Sequence, residues 1–314
     1  MLKPYLLSLS TTNKCNLNCV YCSTDAGKEL DNELSLDEKK SIIIQAKDMG
    51  INNINLCGSG EPMLDDDFFE LIDFIKKNKL QPFVVTNGTC INKDNSKFLY
   101  DNKVFLLFKL NSLNPVISDK LLGKKNTYYW TDYNGFHIPK NLKLLFDLGY
   151  HKIRNRYALR IESIISRYNY KDIPEIAKLC KRYKLGYYLE TLIWTGRAKK
   201  DYDNLELTKN QYSWLYNELK KIMGPSFAIT QKFIGCHVAS NPIIGVTGEI
   251  EICHARRCNI GNIRNDSLLN LYKKAQKIRK IQKISFLKGF EEPFKTCAGR
   301  QYFIRELENE RKRI

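Results

Sequence analysis

Between residues 5 and 192, short apolar runs take turns with amphipathic stretches, and this alternation limits the fold more than any other feature of the chain. The runs "YLLSLS" (Tyr5 to Ser10), "INLC" (Ile54 to Cys57), "FVVTN" (Phe83 to Asn87), "VFLLFKLN" (Val104 to Asn111), "ALRIESII" (Ala158 to Ile165) and "YYLETL" (Tyr187 to Leu192) read as strands. Helical patterns separate them. Ser35 and Glu38 form a capping box for a helix that stops at Gly50. "DDDFFELIDFIKKN" (Asp65 to Asn78) is amphipathic, acidic at its start and basic at its end, as the helix dipole favours. A further helix ends near Gly149, and Asp172 with Glu175 caps one that ends at Gly186. Strands alternating with helices imply an α/β chain with a parallel sheet and right-handed crossovers. Chemistry then belongs at the carboxyl ends of the strands, as in barrels of this kind.

After about residue 205 the rhythm breaks. A polar helix (roughly Lys209 to Met223) leads into "IIGVTGEIEIC", which reads as a hairpin turning at Thr247-Gly248, and two basic helices close the chain. We therefore expect a barrel over residues 1–205, a linker helix over 206–230 and a small hairpin/helix domain over 231–314. With 314 residues, 43% of them apolar, the chain can bury a sizeable core. No apolar run approaches the ~20 residues that span a bilayer, and "YLLSLS" is too short for a signal peptide, so we expect a soluble, cytoplasmic protein with no membrane partner. Lys and Arg outnumber Asp and Glu by 51 to 34, a formal charge of +17. Such a surface suits nucleic acid, anionic lipid or an acidic protein. The basic residues are scattered, however, with a patch only from Lys273 to Lys283, as on an ordinary solvated surface.

The ten cysteines divide in a way that suggests metal rather than disulfides in a reducing compartment. "CNLNCVYC" places Cys15, Cys19 and Cys22 within eight residues, directly after the first strand. Four thiolates complete a zinc site or a cubane; three leave one corner open for a substrate or cofactor. A zinc site would lack its fourth ligand, since the first histidine is His137. Cys236, Cys253, Cys258 and Cys297 form a late group, while Cys57, Cys90 and Cys180 stand alone. Cys180 shares an apolar helix face with Ile176 and Leu179 and reads as core. Cys57 and Cys90 flank strand ends; each is chemically able to donate a hydrogen atom, although buried inert thiols are commoner.

CX3CX2C with an aromatic residue, Tyr21, before the last cysteine resembles the radical S-adenosylmethionine (SAM) superfamily. The resemblance implies a partial (βα)6 TIM-like barrel in which Cys15, Cys19 and Cys22 hold a 4Fe–4S cluster. The open iron chelates SAM, and reductive cleavage yields a 5′-deoxyadenosyl radical that abstracts hydrogen. "GSGEP" (Gly58 to Pro62) is similar to the family's Gly-Gly-Glu-Pro motif, with Ser59 in place of the first glycine, Gly60 allowing close approach and Glu61 accepting from the SAM amino group. "TNGT" (Thr86 to Thr89) is a frequent family feature and brings in Asn87. "FKLNS" ends the fourth strand, where the resemblance places Lys109, Asn111 and Ser112 against SAM. Arg160 and Glu162 share one face of the fifth strand by period two and are site candidates, as is Glu190 on the sixth. The alternative for this charged pair is mutual pairing outside the barrel.

The segment "CHVASNPIIGVTGEIEIC" is similar to the opening of the SPASM and Twitch extensions of that family. "GRA" (Gly196 to Ala198), "GNI" (Gly261 to Ile263) and "SLLNLYKKA" resemble features of the same subgroup. This implies a Twitch-like domain whose Cys236, Cys253, Cys258 and Cys297 hold one auxiliary 4Fe–4S cluster, with His237 and His254 as neighbours rather than ligands. The unusual spacing of Cys258 leaves open that it is free, and a zinc site of the same four thiolates is the alternative. The implied activity is oxidative modification of a substrate C–H bond. Implied substrates are sugars, aminocyclitols or ribosomally made peptides; without the N-terminal module of many peptide-modifying members, the reading leans toward a small or carbohydrate substrate. A flavodoxin- or ferredoxin-type reductant would suit the basic surface. Rival readings are a redox-neutral epimerase with a cysteine hydrogen donor and a zinc-dependent nucleic-acid-binding protein. The latter has no need of GSGEP at the second strand, so nucleic acid is not the expected partner.

Overall fold

The computed structural model describes residues 4–153, 155, 158–193, 195–224, 241–253 and 256–281. Cys236, His237, His254, Cys297 and the second closing helix lie outside the described residues. Cys253 and Cys258 fall in strands of which only the backbone path is described.

The strands are β1 (Leu6–Ser10), β2 (Asn53–Cys57), β3 (Gln81–Thr86), β4 (Phe105–Lys109), β5 (Trp130–Tyr133), β6 (Phe136–Pro139), β7 (Leu159–Ile165), β8 (Gly186–Thr191), β9 (Ile243–Ile244), β10 (Glu249–Cys253) and β11 (Arg256–Asn262). The helices are α1 (Leu36–Asp48), α2 (Phe68–Lys77), α3 (Lys93–Asp101), α4 (Pro115–Leu122), α5 (Lys140–Asp147), α6 (Ile173–Arg182), α7 (Tyr202–Leu205), α8 (Lys209–Met223) and α9 (Leu268–Ile281). One nine-stranded sheet runs β11-β10-β9-β1-β2-β3-β4-β7-β8. From β1 to β8 its strands are parallel and follow chain order, the arrangement of a partial TIM-like barrel.

Alternation along the strands decides which side chains meet the helices. Leu7, Leu9, Ile54, Leu56, Leu106, Phe108, Leu159 and Ile161 are buried against Ile42 and Ile43 of α1, Leu71, Ile72 and Ile75 of α2, and Leu142 and Leu145 of α5. Each such side chain stabilises the fold by about 1.5–3 kcal/mol relative to exposure. The intervening residues, including Asn55, Cys57, Phe83, Lys109, Arg160, Glu162 and Tyr188, take the other, concave face. Cys180 is fully buried on α6, as its apolar neighbours implied.

Helix α1 carries the expected capping box: Glu38 N–H donates to Ser35 Oγ and Ser35 N–H to Glu38 Oε2. Elsewhere the local signals and the structure part. Helix α2 begins at Phe68, so Asp65 lies ahead of it, buried against Lys39. Asp172 does not cap α6; its backbone is helical and its carboxylate accepts from Ser112 Oγ at 2.5 Å. The helix expected to end near Gly149 is α5, which stops at Asp147; ahead of it stand α4 and the β5–β6 hairpin, which the sequence reading did not include. Asn134 and Gly135, both at positive φ, make that hairpin's turn, the Asn-Gly pair that two-residue hairpin turns favour. Trp130 stacks on His137 across the pair, and Tyr133 packs on Phe146 of α5.

The late hairpin turns where expected, with Gly248 at φ 86°. It joins the barrel's own sheet: β9 pairs in parallel with β1, Ser8 opposite Ile243 and Leu9 opposite Ile244, and β10 runs antiparallel to β9. Asn241 Oδ1 accepts from the backbone N–H groups of Tyr5 and Leu6. No described helix is long and apolar enough to cross a membrane.

Candidate active site

The loop after β1 carries Cys15, Cys19 and Cys22, all half-buried. Its path is fixed by backbone bonds at both flanks. Cys15 N–H donates to Gly27 O, Asn18 N–H to Leu122 O and Val20 N–H to Leu121 O, which ties the loop to the end of α4. The α4 terminus can come this close because Gly123, at φ 65°, has no side chain; a Cβ there would lie 2.1 Å from Asn18 O.

The loop after β2 docks on the cysteine loop. Gly60 N–H donates to Thr12 O at 2.9 Å and Glu61 N–H to Lys14 O at 2.8 Å. A Cβ on Gly60 would lie 2.1 Å from Lys14 O, so the glycine serves the contact between the two loops. Gly58, at φ 114°, passes over Ser10 in the same way. Ser59 O accepts from Thr24 Oγ1, and Thr24 in turn lies 3.2 Å from Cys22 Sγ.

Glu61 is 2% exposed. Its Oε1 accepts from Thr86 Oγ1 at 2.7 Å and Met63 N–H at 3.2 Å, and its Oε2 from Asn87 N–H at 2.7 Å. Burial pushes the carboxyl up to about 7, against the pull of these hydrogen bonds and of the Lys109 charge. Three of its roughly four acceptor positions are taken by the TNGT turn and its own loop. Asn87 extends the network: its Nδ2 donates to Asn16 Oδ1, inside the cysteine loop, and its carbonyl accepts from Tyr128 Oη.

The residues closing β4 are engaged in the fold itself. Asn111 Nδ2 donates to Tyr21 Oη at 2.5 Å while its Oδ1 accepts from Ile164 N–H. Ser112 is fully buried and its hydroxyl donates to Asp172. These two side chains set the position of Tyr21 and of α6, a scaffold role that the expectation of direct SAM contact did not include. Lys109 lies opposite Glu162 in register and pairs with it, Nζ to Oε2 2.5 Å. The charged pair expected on β7 therefore faces the concave side. Arg160 stacks its guanidinium on the rings of Phe83 and Tyr188, 5.3 and 5.1 Å from their centroids, and donates to Tyr188 Oη. Glu190 is exposed at the same concave face; the negative charge of Glu162 and the surrounding protein raise its carboxyl. Cys57 sits among these groups, 7% exposed, its thiol pushed up to about 12 by burial. Cys90 is half-buried beside the TNGT turn, and burial lifts it to about 11.

The three loop thiols differ from one another. Burial raises Cys15 and holds Cys19 at about 12. Burial also acts on Cys22, but the Thr24 hydroxyl, the backbone N–H groups of Ala26 and Thr24 and the Arg197 charge more than offset it and lower that thiol. Among the described residues, no three ligand side chains converge on a single ion. A cubane asks for something else: each thiolate binds a different iron, so thiols spread around one loop, with a cation nearby, fit a cluster. Sequence reasoning assigned no role to Arg197, Asn16, Thr24 or Tyr128; "GRA" contains Arg197 and "CNLNCVYC" contains Asn16, but their partners at 178 and 71 residues' separation are set by the fold.

Residues 9–201 match the family described as the Radical SAM superfamily. The chain is 26% identical over 261 residues to the mycofactocin maturase MftC of Mycolicibacterium smegmatis, covering 81% of this chain and 60% of that protein. It is 27% identical over 283 residues to the subtilosin biosynthesis protein AlbA of Bacillus subtilis, covering 86% and 59%. The chain thus spans about 60% of the length of these curated relatives. Among solved structures, Streptococcus suis SuiB bound to the precursor peptide SuiA superposes with a TM-score of 0.64 at 17% identity, covering 87% of this chain and 65% of that one. SuiB has also been solved bound to S-adenosylmethionine. That likeness shows the shared fold, and the family match covers the cysteine loop, GSGEP, TNGT and GRA together. The protein is a member of the radical SAM superfamily, whose cofactors are a 4Fe–4S cluster and S-adenosylmethionine.

Proposed function

We propose that this protein oxidatively modifies a C–H bond of a peptide substrate. Cys15, Cys19 and Cys22 would hold the SAM-binding cluster, and Cys236, Cys253, Cys258 and Cys297 an auxiliary one. The observation that carries the reading is the convergence of the cysteine loop, GSGEP and TNGT at the carboxyl end of a parallel sheet, joined by Gly60, Glu61 and Asn16. The cluster with SAM supplies a 5′-deoxyadenosyl radical able to take a hydrogen atom from the substrate. The chain's own residues position that chemistry: Tyr21 is locked by Asn111, and the concave face offers Lys109, Glu162, Glu190 and Arg160 to a polar substrate. Relatives that include a bacteriocin biosynthesis protein and a neighbour bound to a precursor peptide favour the peptide arm of the expectation over the carbohydrate one. The surplus of basic residues suits an acidic flavodoxin- or ferredoxin-type reductant.

Anaerobically reconstituted protein should bind roughly eight irons and release 5′-deoxyadenosine from SAM under reduction. Replacing Cys15, Cys19 and Cys22 together by Ala should leave roughly four irons and no SAM cleavage. A triple variant that retains all its iron would refute the ligand assignment. A second reading, a redox-neutral epimerase, is favoured by Cys57 on the concave face of β2. Turnover in heavy water separates the two. Oxidation yields a product two mass units lighter and free of solvent deuterium at the reacting carbon. An epimerase yields an unchanged skeleton carrying one deuterium, lost in Cys57→Ala or Cys90→Ala.

A further inference from the structure

The polypeptide after β8 returns across the molecule to the cysteine loop. Thr195 Oγ1 donates to Ser23 O at 3.0 Å, and Ala198 N–H donates to Cys22 O at 3.1 Å. Between them Gly196, at φ 56°, passes so close that a Cβ would lie 2.5 Å from the Ser23 carbonyl. Arg197 completes the contact with its whole guanidinium fork. Nη1 donates to Cys19 O at 3.1 Å, Nη2 to Ala26 O at 2.8 Å, and Nε pairs with Asp25 Oδ1 at 3.0 Å.

The arrangement has two physical consequences. First, the carbonyls of Cys19, Cys22, Ser23 and Ala26 are all held by residues 195–198, so this half of the loop has a fixed shape before any ligand binds. Second, a permanent positive charge is held against the ligand loop. The Arg197 side chain is 16% exposed, whereas its partner Asp25 is 48% exposed, so water screens the carboxylate more than it screens the guanidinium. The guanidinium reaches the loop at the carbonyl of Cys19 itself. A cluster gains negative charge on reduction, and a nearby cation favours that form.

We infer that Arg197 is a positioning residue for the SAM-binding cluster: it clamps the ligand loop through the Cys19 and Ala26 carbonyls, and its charge raises the cluster's reduction potential. Neither role follows from membership of the family, and both rest on Cys15, Cys19 and Cys22 being the ligands. The Cys15, Cys19 and Cys22 triple variant tests that assignment separately, so failure of one statement does not hide failure of the other.

The test uses reconstituted protein and three variants, Arg197→Met, Arg197→Lys and Thr195→Val, with two readouts independent of turnover. Iron release to a chelator reports the clamp, and an EPR-monitored redox titration reports the charge. Arg197→Met should release iron about tenfold faster or more, the scale on which partners behind metal ligands act, and its cluster should titrate at a more negative potential. Arg197→Lys keeps the charge and loses the fork, so its potential should stay near that of the parent while iron release quickens. Thr195→Val should quicken release without moving the potential. Parental iron release in both Arg197 variants would overturn the clamp, and a parental potential in Arg197→Met would overturn the electrostatic role. If Arg197→Met holds no cluster, Arg197→Lys decides: a potential as parental as its iron release overturns the inference, and faster release at an unchanged potential upholds it.

Discussion

Lys39 is a charge carried into the protein interior on the buried face of α1. It is 3% exposed, and its ammonium pairs with Asp65 at 2.7 Å and Asp67 at 3.5 Å in the loop that follows GSGEP. Burial raises the Asp65 carboxyl even though the Lys39 hydrogen bond and charge pull it back. Breaking such a pair from one side leaves an uncompensated buried charge. Lys39→Met should therefore cost about 3–5 kcal/mol in urea unfolding, and Lys39→Met with Asp65→Leu should recover most of it. Equal stability of the two variants would show the pair to be energetically idle. Glu61 makes the complementary point at the same scale. "GSGEP" singles out Glu61, but the donors that occupy it, Thr86, Met63 and Asn87, were not legible there, because two of the three come from the end of β3 and the loop after it.

At the scale of elements, the late hairpin is fastened to the barrel by one arginine as well as by the β1–β9 ladder. Arg264, just after β11, pairs with Glu38 of α1 through both carboxylate oxygens, 2.6 and 3.0 Å, and also donates to Asn32 O and Glu33 O. The Arg264 hydrogen bond holds the Glu38 carboxyl at about 2, below its ordinary 4.5. A depressed acid stabilises the folded state fully above pH 4.5 and loses that contribution as pH falls toward 2. Both side chains are about a third exposed, so screening reduces the contribution to about 1 kcal/mol. Arg264→Gln should lower stability by that amount at neutral pH and converge with the parent near pH 2, read as unfolding midpoints across the pH range. A constant gap from pH 7 to 2 would mean that the charge pair is not the cause.

At the scale of the whole molecule, the basic residues behind the formal charge of +17 are scattered along the sequence rather than gathered in one segment. A diffuse positive field speeds encounter with an acidic partner and weakens as salt shortens the Debye length to about 3 Å at 1 M. Cluster reduction by an acidic flavodoxin should slow by tenfold or more between low and high salt. Reduction by a small chemical reagent should change far less. Equal salt dependence for the two would exclude steering by the protein surface.

The sequence by itself determined the order and type of the six barrel strands and the grouping of Cys15, Cys19 and Cys22 in the loop after the first of them. These follow from local periodicity and from the chemistry of individual side chains, which need no knowledge of distant contacts. The β5–β6 hairpin had a local signal as well, Asn134-Gly135 at its turn, though the sequence reading did not include it. Only the tertiary structure decided how the polar side chains are employed: Lys109 with Glu162, Asn111 with Tyr21, Ser112 with Asp172. It also decided that Arg197 holds Cys19, 178 residues away. A hydrogen bond needs its partners within about 3 Å, and no spacing pattern in the chain encodes which loops a folded sheet will bring that close.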